Sequence, residues 1–102
     1  MARGKPIRTD TRTFATQSAA MEFFRLMLNR YSVGDRVTIA DAQDLAALLK
    51  RHNEYAEKLG VGIDHFTVMV APGFKTNCFE IVRTDGSRID FSYQRCIDKR
   101  QT

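Results

Sequence analysis

The sequence predicts an α+β domain: two to three helices packed on one face of a three- to four-stranded antiparallel sheet, with a meander in the C-terminal half. Three observations lead there. Apolar residues recur at helical spacing through residues 20–49, and from Gly62 the period changes to two. The length of 102 residues suits one modest core and not two.

Residues 1–14 form either a basic arm or an edge strand, and the β-branched content of "IRTDTRTF" favours the strand. Residues 15–102 are the domain proper. Ala20, Phe23, Phe24, Met27, Leu28 and Tyr31 fall on one stripe of a first helix. Thr16 or Ser18 can cap its start, and Gly34 ends the element. A second helix begins at Thr38, with Asp41 three residues on, and presents Ala42, Leu45, Ala46 and Leu49 as its buried stripe. Lys50, Arg51 and His52 crowd its last turn, where positive charge is favoured. "NEYAEKLG" adds a short third helix, with Asn53 as cap and Gly60 as the left-handed stop.

In the first strand Phe66, Val68 and Val70 alternate with His65, Thr67 and Met69. "APGFKT" is a loop, and "NCFEIVR" and "SRIDFSY" are the next two strands. The connection between these two fixes their register. A two-residue loop at Asp85-Gly86 sets Ile81 opposite Asp90 and mixes polar with apolar on both faces. A three-residue loop, Thr84-Asp85-Gly86 with Gly86 left-handed, sets Ile81 opposite Ile89 and Phe79 opposite Phe91. The second choice segregates the faces. It also makes Glu80 and Asp90 neighbours beside Arg88, on the face away from the helices.

Several function classes lack support. No apolar run approaches the ~20 residues of a membrane span, and the basic N-terminus has no signal-type apolar stretch. A cytoplasmic protein without a membrane partner is expected. Cys78 and Cys96 stand 18 residues apart without a second CxxC or CxxH element, so no metal site is expected, and Cys78 reads as a buried strand thiol. The six glycines are scattered and make no phosphate loop. His52 and His65 are the only histidines; Cys78 with His65 would be a nucleophile–base pair only beside an oxyanion site, which nothing indicates. No catalytic residues and no cofactor are expected.

The formal charge of +4 is unevenly placed: +3 over residues 1–14, zero over 15–63 and +1 over 64–102. An arm carrying Arg3, Lys5, Arg8 and Arg12 can meet phosphates without sequence preference.

"GIDHF" at 62–66, Val68, Phe74, Cys78-Phe79, Val82-Arg83, Asp85-Gly86, "DFSY" at 90–93 and Cys96 together resemble the DCL-like domain family, named for the plant protein "defective chloroplasts and leaves". The likeness reaches back through "LKRH" at 49–52 and "KLG" at 58–60, and "NRYSVGDRV" at 29–37 resembles a small bacterial stand-alone member. The chain departs from plant members in having Ala71-Pro72 where they carry His-Pro, and in lacking tryptophan. The resemblance implies an α+β fold, relatives in chloroplast ribosomal RNA processing, and a related domain at the end of plant RNA polymerase subunits. It implies no catalytic set. The leading expectation is therefore an RNA-binding module, with Arg83, Arg88, Tyr93, Arg95, Lys99, Arg3, Lys5 and Arg8 as contact residues and Tyr93 stacking a base if exposed. The alternative is a protein-docking module working through a sheet edge or through residues 93–97.

Overall fold

A computed structural model describes residues 6–52, 54–71, 73 and 76–97. Thr16 Oγ1 accepts from the Ala19 backbone N–H and starts α1 (Gln17–Asn29); Thr38 does the same for Asp41 and starts α2 (Ile39–Leu49). Between them, Asp41 accepts from the Arg30 guanidinium at 2.7 Å and from the Tyr31 hydroxyl at 2.6 Å, tying the end of α1 to the start of α2. Burial opposes ionisation of Asp41, but these bonds outweigh it and hold its pKa below the ordinary value. A short α3 (Tyr55–Leu59) follows. Its expected cap, Asn53, lies outside the described residues.

The meander is β3 (Ile63–Val70), β4 (Asn77–Arg83) and β5 (Arg88–Phe91), in that spatial order. Phe79 pairs with Phe91 and Ile81 with Ile89, the register that the face-segregating loop requires. Gly86 has φ 88°, and the Arg83 backbone N–H donates to the Ser87 carbonyl at 2.8 Å. Turn chemistry and hydrophobic pattern agree here, so the hairpin is legible from its own residues.

Phe66, Val68, Phe79, Ile81 and Phe91 lie on the sheet face that meets Phe24, Met27, Leu45, Leu48 and Leu49 of the helices. Val70, expected on this inward row, is instead half exposed near the end of the hairpin. The other face carries His65, Thr67, Met69, Cys78, Glu80, Val82, Arg88 and Asp90.

Four expectations need correction. The N-terminal segment does not add a strand to the sheet. It folds on itself as β1 (Ile7–Arg8) and β2 (Thr13–Phe14), a hairpin laid against the helices. Thr11 and Arg12 donate to Asp44 at 2.7 and 3.1 Å, and Lys50 donates to Asp10. The outer edge of β3 is met by residues 34–37, through an Arg36–Thr67 bridge.

The buried surface of α2 is wider than one stripe: Asp44, Ala47 and Leu48 join Leu45 and Leu49, while Ala42 and Ala46 are only partly covered. The N-terminal hairpin holds one flank of α2, and an unforeseen helix, α4 (Tyr93–Ile97), covers another. That helix replaces the end of the expected last strand, because Tyr93, Cys96 and Ile97 fall at i, i+3 and i+4 and all three insert into the core. Finally, Cys78 is half buried on the outer sheet face and not fully buried, whereas Cys96 is completely buried; neither forms a disulfide.

Candidate nucleic-acid interface

The residues named from the sequence fall into three environments. The first is the β4–β5 turn. Arg83 does not project from the rim; its side chain crosses Gly60 and donates to the Lys58 carbonyl at 3.1 Å, the Glu57 carbonyl at 2.8 Å and the Ser87 hydroxyl at 3.3 Å. Two of these acceptors are at the C-terminal end of α3, where the helix leaves carbonyls unpaired and favours a cation. Gly60 makes the approach possible. Its φ is 55°, and a Cβ built there would lie 2.7 Å from Arg83 Nε. Arg88 remains on the outer face and pairs with Glu80 at 3.0 Å, while the same Glu80 oxygen accepts from Thr67 at 2.7 Å. Asp85 accepts from the Ser87 backbone N–H and hydroxyl, which lowers its pKa. The rim arginines are thus engaged within the protein.

The second environment is the core. Tyr93 is only 6 % exposed, its ring 6.2 Å from Phe24 and 6.4 Å from Phe79 between centroids. Burial pushes its phenol pKa up. It does not offer a face for stacking a base, and Tyr93, Cys96 and Ile97 do not offer a docking segment, since the core has taken all three.

The third environment is open surface. Arg8 is exposed on β1 beside buried Ile7, and Arg95 is exposed on α4. Neither side chain has a hydrogen-bond or ion-pair partner among the described residues. Arg36, which sequence patterning did not single out, is likewise exposed, and its side chain has no hydrogen-bond or ion-pair partner among the described residues. Arg12 differs, since it pairs with Asp44 and lies over the Phe23 ring at 4.5 Å. Arg3, Lys5 and Lys99 lie outside the described residues.

Sequence reasoning also missed a polar corner beside Arg95. Arg51 Nε donates to the Cys96 carbonyl at 2.9 Å and Gln17 to the Ile97 carbonyl at 3.3 Å, closing the end of α4. His52, just past α2, is only 5 % exposed, and its Nδ1 accepts from the Glu54 backbone N–H at 2.9 Å. Burial first, then the Lys58 charge, hold its pKa below the ordinary imidazole value, with Arg95 acting in the same direction. Lys58 donates to the Asp90 carbonyl at 3.0 Å, and its ammonium stands 4.0 Å from the Asp90 carboxylate. The signal was present in "LKRH" and "KLG", which patterning assigned only to helix ends.

The other arrangements considered for chemistry do not assemble. His65 is opposite Val82 and Cys78 is opposite Met69, four positions apart along β3, or ~13 Å at strand rise. His65 contacts Asp64 at 2.6 Å, and burial raises the Cys78 thiol pKa. Glu80 and Asp90 are cross-strand neighbours as expected, but Glu80 is bound by Arg88 and Thr67.

Comparison with known proteins places this geometry. The profile of a protein family of unknown function, DUF3223, matches residues 25–97. The chain belongs to that family. It is similar to the tomato (Solanum lycopersicum) protein DCL, chloroplastic, with 40 % identity over 74 % of this chain and 35 % of the plant protein. It is also similar to DNA-directed RNA polymerase IV subunit 1 of Arabidopsis thaliana, with 31 % identity over 70 % of this chain and 5 % of the subunit. The solution NMR structure of an uncharacterised protein from Rhodospirillum rubrum superposes with a TM-score of 0.86 at 41 % identity, covering 98 % of this chain and 95 % of the other. The chain therefore spans about a third of the DCL protein it matches. The DUF3223 match begins inside α1 and leaves the N-terminal hairpin outside it. Among the described residues no helix is long and apolar enough to cross a membrane, and no group of three or more metal-ligating side chains is found.

Proposed function

We propose that this DUF3223 domain is a non-catalytic RNA-binding module that contacts phosphates through Arg8 and Arg95. The observation carrying this reading is electrostatic. Both guanidiniums are exposed without a partner among the described residues, while Asp10, Glu22, Asp41, Asp44 and Glu80 are each engaged by a lysine or arginine. Unpaired guanidiniums exchange counterions for phosphate at little internal cost. Arg3 and Lys5 adjoin Arg8 in sequence and Lys99 follows Arg95, extending the same charge. The RNA polymerase subunits among the relatives support a nucleic-acid setting.

The test is fluorescence anisotropy of a labelled single-stranded RNA across a salt series. Replacing Arg8 and Arg95 together by Ala is expected to weaken binding about tenfold or more. It should also make the log–log salt slope shallower by about 0.7 for each arginine. Absence of binding at low salt, or an unchanged slope in the double variant, rejects the reading.

A second reading, a protein-docking module, is favoured by Val33 and Val70. Both are about half exposed beside the edge where Gly34 donates to the Val68 carbonyl. It predicts partner binding that changes little with salt and is lost in Val33→Ser plus Val70→Ser.

A further inference from the structure

Beyond β3 the sheet ends on residues 34–37, and one backbone unit of that segment is left open. The Val37 N–H donates to the Phe66 carbonyl at 2.9 Å, and the Asp35 carbonyl accepts from the Val68 N–H at 3.2 Å. The groups on both sides of Arg36 therefore turn toward β3. A trans peptide carries its C=O and its N–H in opposite directions, so the Arg36 N–H and C=O point away from β3. Neither is hydrogen-bonded among the described residues, and residues 33–36 are all exposed. An open donor and acceptor on one edge residue are what an added strand takes up.

The side chains around this unit are of two kinds. Arg36 stands opposite Thr67, which sets its side chain on the outer sheet face, and the guanidinium has no partner among the described residues. Its charged neighbours are engaged: Asp35 accepts from the Ser32 N–H at 2.7 Å, Arg30 pairs with Asp41, Asp64 with His65 and Arg88 with Glu80. Val70 belongs by alternation to the inward row of Phe66 and Val68, yet is half exposed. Val33 and Ile39, three positions before and after Arg36, are exposed as well.

We infer that this edge takes up an extended peptide of a partner protein in which acidic residues alternate with apolar ones. One acidic residue exchanges both backbone hydrogen bonds with Arg36 and sets its carboxylate beside the guanidinium, on the same face. Alternation turns the apolar residues to the face of Val70. A second copy of this chain is disfavoured, because a twofold pairing about this unit sets Arg36 opposite Arg36, and like charges directly opposite repel. A phosphate chain would use the N–H and the guanidinium but leave the C=O and the apolar side chains without a role. The inference rests on the protein-docking reading and deepens it by naming the edge and the chemistry of the partner.

The probe is an acetylated and amidated heptapeptide alternating valine and glutamate, titrated into ¹⁵N-labelled protein and followed by ¹H–¹⁵N NMR. One control peptide carries lysine in place of glutamate; another carries N-methylated glutamates, which cannot donate to the Arg36 carbonyl. The expected result is a saturable shift of the Arg36 amide, with the glutamate peptide binding roughly three- to tenfold more tightly than the lysine peptide. The N-methylated peptide should not bind. Arg36→Glu should invert the preference, which a misfolded variant would not do. Equal binding of the N-methylated peptide overturns strand addition. If Arg36→Glu leaves the preference unchanged while Val33→Ser plus Val70→Ser abolishes binding, the acidic edge falls and the docking reading stands. If no peptide moves the Arg36, Val33 or Val70 amides, both fall. A single-stranded RNA that shifts the Arg36 amide where the peptides do not also overturns the inference, and assigns Arg36 to nucleic acid.

Discussion

The β4–β5 turn and the corner around α4 have similar formal charge and opposite uses of it. At the turn, Arg83 is drawn back over Gly60 onto the end of α3, and Arg88 is held by Glu80. At the corner, Arg51 closes the end of α4 internally, while the exposed Arg95 side chain has no hydrogen-bond or ion-pair partner among the described residues. The spacing of arginines in the sequence draws attention to the turn, which Arg83 and Arg88 flank. Counting unsatisfied donors ranks the corner first. A cation already bonded to protein gains little from phosphate, because it must exchange one set of interactions for another.

The sharpest way to break this contrast is Gly60→Ala. The residue would have to adopt a φ of 55° and displace Arg83, whose Nε lies 2.7 Å from the new Cβ. A loss of roughly 2–4 kcal/mol of stability is expected in urea or guanidinium unfolding. A variant as stable as the parent would show that Arg83 can leave α3 freely. Arg83→Ala itself should cost about 1–3 kcal/mol through its lost hydrogen bonds, and Arg88→Ala, an exposed pair, under about 1 kcal/mol. Equal effects from the two would mean that both arginines are mere surface charges.

The corner makes a smaller prediction, in pH. Burial and Lys58 lower the His52 pKa in the folded protein, so between the ordinary imidazole value and that lower value the unfolded chain holds more protons. Stability contributed by His52 is then complete above the ordinary value and is lost as pH falls through this window. His52→Asn should flatten that part of the stability–pH curve while the near-neutral stability changes less. A slope unaltered by the substitution would assign it to other groups.

The hairpin is the part of the fold most fully legible in the chain. Its register follows from two residue types at the turn and from one alternation on either side, all within 13 residues. Helix starts were equally local, as Thr16 and Thr38 capping shows. The fate of residues 93–97 was not. Ser92-Tyr93 reads as the end of a strand, with 94–97 left unassigned, until one knows that these residues pack against α1 and α2 as a helical turn. The buried breadth of α2 was hidden for the same reason, since Asp44 is covered by the hairpin Thr11 and Arg12 belong to, more than 30 positions away.

By itself, then, the sequence determined the α+β class, the two long helices, the β4–β5 register and the family likeness. These depend on periodicity, caps and turn sterics that act over a few residues. Only the tertiary structure decided which charges remain open. Arg83 is bonded to carbonyls 25 and 26 positions away, Arg12 to an acid 32 away, and Arg51 to a carbonyl 45 away. Pairings at such separations are set by packing of whole elements, and no local pattern encodes which arginine will find a partner and which will face water.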